Sequence, residues 1–257
     1  MKNKIYYIFL LTGMLFISCS GDDSYYNGDS GQGGSMARFT IKGDYLYTVD
    51  HQTLKTFDIS SAESPEYLKN KDQYLDFGVE TIFTMDTLLF IGSRTGMYIY
   101  NITRPDFPQQ MSYTPHITSC DPVVASGNYA YVTLNSEQSW CGRPSNELRI
   151  YNITDPYKPE LIHTETGFKN PRGLGVDGNK LFVCDNGLKV YDVTNPEKPI
   201  WMDDLSHIPE ANGIDTYDVI LLNGILLVIG ADGFYQFDYS GGKLAFISKI
   251  GVNKTNG

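Results

Sequence analysis

Short segments of alternating apolar and polar residues recur from residue 36 to residue 250, with turn-forming residues between them. The pattern is clearest at Arg172–Val176, Lys180–Cys184, Leu188–Val193 and Pro199–Asp203, where Asp-Gly-Asn and Asp-Asn-Gly separate the first three segments. Segments of this kind, rich in Tyr, Val, Ile and Phe, predict β-strands joined by tight hairpin turns. Because no segment shows a sustained helical period, the chain is predicted to be all-β.

A twelve-residue frame recurs five times, and in each copy a central Asp or Asn follows an aromatic residue. The copies are LKTFDISSAESP (Leu54–Pro65), MYIYNITRPDFP (Met97–Pro108), LRIYNITDPYKP (Leu148–Pro159), LKVYDVTNPEKP (Leu188–Pro199) and the degenerate FYQFDYSGGKL (Phe234–Leu244). Their central residues lie 43, 51, 40 and 46 positions apart, and repeats of this length indicate a propeller or a solenoid.

We therefore predict a five-bladed β-propeller of four-stranded antiparallel blades. The blades are placed at about 36-70, 79-115, 121-167, 171-207 and 214-250. A β-sandwich is the alternative, but it would not explain five motifs in one frame. The first strand of the first unit (Ala37–Ile41) and the last strand of the fifth (Lys243–Ser248) lie within their own units, so no strand-swapped closure is expected.

The central Asp or Asn of the frame is predicted to form a turn. Its side chain can accept a hydrogen bond from the backbone two residues further on, and the Ser or Thr that follows in most copies supports the same turn. In four copies a closing proline then begins the outermost strand, where no ladder N–H is required. These motifs resemble the LVIVD-repeat family of exported β-propeller-like proteins over nearly the whole mature chain. The resemblance implies a propeller and an exported location, and it carries no established catalytic residues.

Residues 1–18 are predicted to be an export signal. Lys2 and Lys4 precede an apolar run from Ile5 to Ile17, which is short for a membrane span and typical of a secretory signal. The run ends at Ser18-Cys19, which resembles the lipobox of bacterial lipoproteins, where the cysteine is acylated and becomes the mature N-terminus. An ordinary secretory signal followed by a coincidental cysteine is the alternative.

The segment after Cys19 is predicted to be a flexible tether. Residues 19–35 are rich in Gly, Ser, Asp and Asn and contain few apolar groups, and residues 251–257 form a short C-terminal tail. Asp22 and Asp23 resemble the acidic signal that directs some lipoproteins to the cell surface. We therefore expect an outer-membrane lipoprotein that is exposed at the cell surface and anchored through Cys19.

The mature chain is strongly acidic. Removal of Lys2 and Lys4 with the signal leaves 18 basic residues against 30 acidic ones, a net charge of −12. Such a surface repels nucleic acid and anionic lipid, so a partner with a phosphate backbone is not expected.

The third unit is irregular, because ten additional residues lie between its second and third strands, within Asn135–Glu147. In a propeller this loop shares a face with the loop that enters the same blade. Cys141 and Cys120 lie in these two loops and are predicted to form a disulfide. This disulfide would raise the free energy of unfolding by about 3 kcal/mol, because it closes a loop in the unfolded chain. Cys184 is predicted to be a small buried side chain; three free thiols are the alternative. Trp140 is a candidate binding aromatic or a cap over the disulfide.

The first strands of the five units bring polar residues toward the central channel. Aligned positions of these strands predict a mixed-charge funnel where a ligand could bind, although such groups often only pair with one another. Together with the insertion, the candidate ligand-binding residues are Glu80, Asp121, Trp140, Arg143, Arg172, Tyr217 and Asp218.

Two classes of function remain open at this point. A non-catalytic binding or scaffolding module for a glycan or a surface protein is favoured, because no catalytic motif occurs. A glycosidase using Glu80 with Asp121 or Asp218 is the alternative, since that chemistry needs two facing carboxylates. The four histidines are scattered without ligand spacing, so neither a metal nor another cofactor is expected.

Overall fold

The computed structural model describes residues 34–76, 78–116, 122–135 and 146–252. These residues form five antiparallel sheets that follow one another around a central axis. The strands are β1 Phe39–Lys42, β2 Tyr45–Asp50, β3 Thr53–Asp58, β4 Glu66–Tyr67, β5 Gln73–Tyr74, β6 Val79–Met85, β7 Leu88–Ser93, β8 Gly96–Asn101, β9 Gln109–Pro115, β10 Val123–Ser126, β11 Tyr129–Leu134, β12 Glu147–Asn152, β13 Glu160–Glu165, β14 Pro171–Asp177, β15 Lys180–Asp185, β16 Leu188–Asp192, β17 Ile200–Asp204, β18 Thr216–Leu222, β19 Ile225–Gly230, β20 Gly233–Asp238 and β21 Ala245–Gly251.

Each sheet is one blade built from strands that are consecutive in sequence. Blade 1 contains β1–β4, with β5 also paired to β3, and blades 2 to 5 contain β6–β9, β10–β13, β14–β17 and β18–β21. The two helical turns in the described residues are 3-10 helices at Lys69–Lys71 and Pro209–Ala211. The predicted five-bladed propeller of four-stranded antiparallel blades is confirmed, and among the described residues no blade borrows a strand from the other end of the chain.

The core of the protein lies between consecutive blades. Strand alternation sends one set of side chains toward the preceding blade and the other set toward the following blade. Four positions illustrate this: Tyr47, Phe90, Tyr131 and Phe182, each the third residue of its second strand, face the next blade and are 0–2% exposed. Four buried apolar clusters result, joining blade 1 to 2, 2 to 3, 3 to 4 and 4 to 5.

The turn predicted from the repeat frame forms in all five blades. The carboxylate or amide oxygen at each central position accepts a hydrogen bond from the backbone N–H two residues further on. The donor–acceptor pairs are Ser60–Asp58 (2.9 Å), Thr103–Asn101 (2.7 Å), Thr154–Asn152 (2.9 Å), Thr194–Asp192 (2.7 Å) and Ser240–Asp238 (2.7 Å). The repeated Asp or Asn is therefore explained by the turn that leads into the outer strand.

The junction between blade 5 and blade 1 is built differently from the other four. No buried apolar cluster among the described residues contains members of both blades. Instead, residues 34–36, which we call the axial segment, reach the innermost strands of blades 4 and 5, while the carbonyl of Ala37 accepts a hydrogen bond from Ile82 N–H of blade 2. The chain thus crosses the centre of the propeller before blade 1 begins.

Candidate functional site

Several residues that the sequence predicts for the site lie outside the described residues. These are Asp121, Trp140 and Arg143, both members of the predicted Cys120–Cys141 disulfide, and the predicted anchor Cys19. The remaining predicted residues are Glu80, Arg172, Tyr217 and Asp218, and the structure places each of them at the start of an innermost strand.

Arg172 and Tyr217 occupy equivalent positions in neighbouring blades, and their side chains are in contact. The Arg172 guanidinium lies 4.7 Å from the Tyr217 ring centroid, in the range of a cation–π contact. Its Nη1 also donates to Oδ1 of Asp215 over 2.9 Å and to the Thr216 carbonyl over 3.2 Å. Asp215 is a partner that the sequence pattern did not identify, because it precedes the strand and has no counterpart in the aligned positions.

Asp218 is bound by the protein itself. Its Oδ1 accepts hydrogen bonds from the Ser35 hydroxyl (3.0 Å) and the Val219 N–H (2.9 Å), and its Oδ2 accepts one from the Met36 N–H (3.1 Å). The Ser35 hydroxyl oxygen in turn accepts from Leu174 N–H at 2.8 Å. Burial raises the pKa of the Asp218 carboxyl above its usual value, although these hydrogen bonds act in the opposite direction.

Two glycines allow this close packing around Asp218. A Cβ atom on Gly34 would lie 2.0 Å from Oδ2 of Asp218, and one on Gly173 would lie 2.2 Å from Oδ1. Neither position can carry a side chain without moving the buried carboxylate. The axial segment therefore occupies the space that the funnel prediction assigned to a ligand at Asp218.

Glu80 is paired separately. Its Oε1 accepts a hydrogen bond from Nε of Arg94 over 2.9 Å, and the Glu80 side chain is largely buried. Glu80 thus faces a guanidinium and Asp218 faces the axial segment. Each of these two carboxylates is therefore engaged by another group of the protein.

Cys184 is buried between blades 4 and 5, as expected from its place at the end of a second strand. It is a free thiol with no exposed surface, and burial raises its pKa above the ordinary value. A thiol in this state is a poor nucleophile, because the thiolate is the reactive form. Cys184 is therefore a packing residue.

A cleft of about 280 Å³ opens beside blade 4 on its side toward blade 5, where the loop that enters blade 4, the turn between its second and third strands and the loop that leads to blade 5 come together. It lies on the face formed by the loops between second and third strands and by the loops that enter each blade. Its walls come from three places: Lys169 before β14, residues 185–189 at the turn between β15 and β16, and residues 204–206 and 211–213 between β17 and β18. The lining includes Lys169, Asp185, Asn186, Lys189, Asp204, Ser206 and Asn212.

Asp185 organises this cleft. Its side chain is 1% exposed, and its Oδ1 accepts hydrogen bonds from the backbone N–H groups of Lys169 (2.8 Å) and Asn170 (2.5 Å). Its Oδ2 pairs with Nζ of Lys189 at 2.8 Å. Lys189 also lies 4.3 Å from the ring centroid of Phe168. The buried Asp185 carboxylate thus connects two walls of the cleft and positions the ammonium group of Lys189.

Another wall of the cleft carries a negative group, the carboxylate of Asp204. Oδ1 of Asp204 accepts a hydrogen bond from Ser206 N–H over 2.8 Å, and the Ser206 hydroxyl and N–H lower the pKa of this carboxyl. Asn186 adds an amide from a left-handed turn position, with φ of 47°. The cleft therefore offers cationic donors, an anionic acceptor and an amide within one space.

The sequence contains a signal for this cleft that the repeat frame did not reveal. The connection between β17 and β18, residues 205–215, is longer than the other described connections that enter a blade. The insertion in the third unit is the more conspicuous irregularity, because it also carries unusual residues. A second tryptophan, Trp201, was likewise not predicted to be exposed; it lies on the outermost strand of blade 4 and is 54% exposed.

The described part of the chain holds neither a metal cluster nor a membrane-spanning helix. Residues 34–76, 78–116, 122–135 and 146–252 contain no group of three His, Cys, Asp or Glu side chains arranged to hold a metal ion. Within the same ranges, no helix has the length and apolar character needed to cross a membrane.

Comparison with protein families gives one match. The LVIVD repeat model matches residues 33–70, 119–137 and 171–205, which confirms the resemblance drawn from the repeat frame. No match was found among curated proteins.

Several solved structures share the fold at low sequence identity. A functionally unknown protein from Desulfotomaculum acetoxidans has a TM-score of 0.66 and 14% identity, over 87% of this chain and 69% of its own. The periplasmic gluconolactonase PpgL of Pseudomonas aeruginosa has a TM-score of 0.58 and 14% identity, over 82% and 68%. Apo AztD of Citrobacter koseri has a TM-score of 0.57 and 12% identity, over 77% and 57%. At these identities the likeness concerns the fold alone.

Proposed function

We propose that this LVIVD-repeat protein is a non-catalytic binding module, tethered to the outer membrane at the cell surface through Cys19, and that it binds a neutral glycan in the cleft between blades 4 and 5. The shape and the polar lining of the cleft are the main support for this proposal. The cleft is a concave space of about 280 Å³ whose polar groups converge from three different loops. Sites with a few converging polar groups in a preformed concavity are where propellers and other folds hold ligands.

The chemistry of the cleft supports a glycan. A sugar hydroxyl both donates and accepts hydrogen bonds, so it suits a site that has both kinds of partner. Lys169 and Lys189 donate, Asp204 accepts, and Asn186 does both. Because cationic and anionic groups are both present, the cleft does not favour a strongly charged ligand over a neutral one.

The arrangement of acids supports a non-catalytic role. Asp185 has its oxygens engaged by two backbone N–H groups and by Lys189, and Asp218 is engaged by the axial segment. Such carboxylates stabilise the loops that contain them. A hydrolase would instead need one acid free to protonate a leaving group and another free to act on the opposite side of the sugar.

Glycan-array binding by the protein tests the proposal, with a matched pair of lysine variants. Lys169→Ala removes a donor from the cleft, whereas Lys198→Ala removes an exposed lysine from the opposite face of blade 4. We expect glycan binding to weaken with Lys169→Ala and to stay unchanged with Lys198→Ala. Equal binding by both variants would exclude the cleft, and sugar products after incubation with oligosaccharides would exclude the non-catalytic role.

Anchoring is tested separately. The mass of the N-terminal peptide should include the lipid in the wild type and should lack it in Cys19→Ser, and protease added to intact cells should digest the wild-type protein. An unmodified Cys19, or complete protection of the protein in intact cells, would contradict the proposed anchor or its orientation.

A further inference from the structure

Two lysines line the cleft, and they differ in how firmly their ammonium groups are held. Lys169 is exposed, so its side chain loses rotamer freedom when it contacts a ligand. Lys189 is partly buried, and its Nζ lies 2.8 Å from Oδ2 of Asp185 and 4.3 Å from the ring centroid of Phe168. Lys189 therefore presents a positive charge whose position is set before a ligand arrives.

The carboxylate that holds this ammonium group is itself rigid. The Asp185 side chain is 1% exposed, and its Oδ1 accepts hydrogen bonds from the backbone N–H groups of Lys169 and Asn170. The turn that follows is tied to blade 5, because the Gly187 carbonyl accepts hydrogen bonds from Asp185 N–H and from the Thr216 hydroxyl. Groups that are fixed before binding favour affinity, since little conformational freedom is lost when the ligand binds.

The Lys189 ammonium keeps a donor for a ligand. An ammonium group has three N–H bonds, of which one is directed to Asp185, while the Phe168 ring lies beside the group. Because Lys189 lines the cleft, an N–H that Asp185 does not use can donate to an oxygen atom of a ligand in that space. A sugar hydroxyl accepts such a bond, and hydrogen bonds from a charged donor are among the stronger polar contacts.

We infer that Lys189 is the main polar anchor for the glycan and that Asp185 is a positioning residue, which acts on the ligand through Lys189. This inference rests on the proposed function and assigns the specificity of the cleft to one side chain. The oxygens of Asp185 face the backbone of the loop that enters blade 4 and the Lys189 ammonium, and the side chain has almost no exposed surface. Its effect on binding therefore depends on the ammonium that it holds.

Binding to an array of immobilised neutral oligosaccharides, read over a series of protein concentrations, tests the anchor role. Lys189→Met removes the charge and keeps an unbranched side chain beside Phe168, and we expect it to weaken binding about tenfold or more, as the loss of a charged hydrogen bond predicts. Lys180→Met is the matched control and should bind as the wild type does. Lys180 is also partly buried and lies 5.6 Å from the Tyr239 ring centroid, but it is at the other end of β15 from Asp185.

Asp185→Asn completes a double-mutant cycle that tests the positioning role. Asparagine can still accept from the two backbone N–H groups, but it cannot form an ion pair with the ammonium. We expect Asp185→Asn to weaken binding in the wild type and to have almost no further effect in the Lys189→Met background. A residue that only stabilised the loop would weaken binding equally in both backgrounds.

Labelling with acetic anhydride, followed by mass spectrometry, examines the same ion pair without a ligand. Asp185→Asn should speed the acetylation of Lys189, because the carboxylate no longer holds the ammonium, and should leave the acetylation of Lys180 unchanged. Urea denaturation shows that each variant is folded. Should Asp185→Asn fail to fold, Lys189→Met still decides the anchor role, since it changes a partly exposed side chain.

The outcomes separate this inference from the proposed function. If the wild type binds no neutral glycan, or if neither Lys169→Ala nor Lys189→Met weakens binding, the proposed site is overturned together with its anchor. If Lys169→Ala weakens binding more than Lys189→Met does, the anchor role alone is overturned. Equal losses from Asp185→Asn in both backgrounds, or an unchanged acetylation rate of Lys189, would overturn the positioning role.

Discussion

The hydroxyl of Ser35 donates a hydrogen bond to Oδ1 of Asp218 over 3.0 Å and so joins two residues that are 183 positions apart in the chain. The same hydroxyl oxygen accepts from Leu174 N–H, so Ser35 ties the N-terminal end of the domain to the innermost strands of blades 4 and 5. Blade 5 and blade 1 share no buried apolar cluster among the described residues, and this polar contact joins the segment before β1 to blade 5.

Removal of the Ser35 hydroxyl should destabilise the protein. Ser35→Ala leaves Leu174 N–H without its partner in a buried site and deprives Asp218 of one donor, which is expected to lower the free energy of unfolding by about 1–3 kcal/mol. Urea denaturation followed by tryptophan fluorescence measures the change. Ser61→Ala, at an exposed turn of blade 1, is the control and should have almost no effect.

The raised pKa of Asp218 should make stability depend on pH in a defined direction. A carboxyl whose pKa is higher in the folded state favours folding when it is protonated, so its contribution is complete below the unfolded pKa of about 3.9 and is lost as pH rises through the folded pKa. The free energy of unfolding of the wild type relative to Asp218→Asn should therefore fall as the pH is raised from about 4 toward neutrality. Parallel pH profiles for the two proteins would contradict the shift.

The turn carboxylates should behave in the opposite way. Hydrogen bonds from the following Ser or Thr hydroxyl, and then from its N–H, lower the pKa of Asp58, Asp192 and Asp238 in the folded state. Their stabilising effect is present above the unfolded pKa and is lost as pH falls through the folded pKa.

Asparagine at these three positions should make the stability of the protein depend less on pH. Blades 2 and 3 already form the same turn with Asn101 and Asn152, so the triple Asn variant should keep its turns. We expect the free energy of unfolding of the wild type relative to this variant to decrease as the pH falls from about 5 to about 3, as measured by urea denaturation at each pH. A difference that stays constant over this range would contradict the lowered pKa values.

The cysteines should divide into one protected thiol and one disulfide. Cys184 has no exposed surface and a raised pKa, so it should react with maleimide only after denaturation. The Cys120–Cys141 disulfide stays a prediction from the sequence, and mass spectrometry of a non-reducing digest identifies it directly. A bridge that includes Cys184, or rapid labelling of Cys184 in the native protein, would contradict this assignment.

The local structure of this protein followed from the sequence by itself. Alternation with a period of two identifies the strands, the Asp-Gly and Asn-Gly turns separate them, and the repeated Asp or Asn forms the turn that short-range chemistry predicts. Five copies of one frame then determine the number of blades, because each unit must pack against its neighbours to cover its apolar faces.

The roles of single residues in the site were decided only by the tertiary structure. Asp218 matched the strand position of a channel residue, but its partner Ser35 comes from a segment that repeats nowhere else in the chain. The cleft around Asp185 needs three loops that are distant in sequence, and the exposure of Phe234 depends on which blade stands beside it. A periodic sequence specifies the face of the strand on which a side chain lies. The residue that packs against that side chain depends on how the blades are arranged. No single repeat encodes this arrangement.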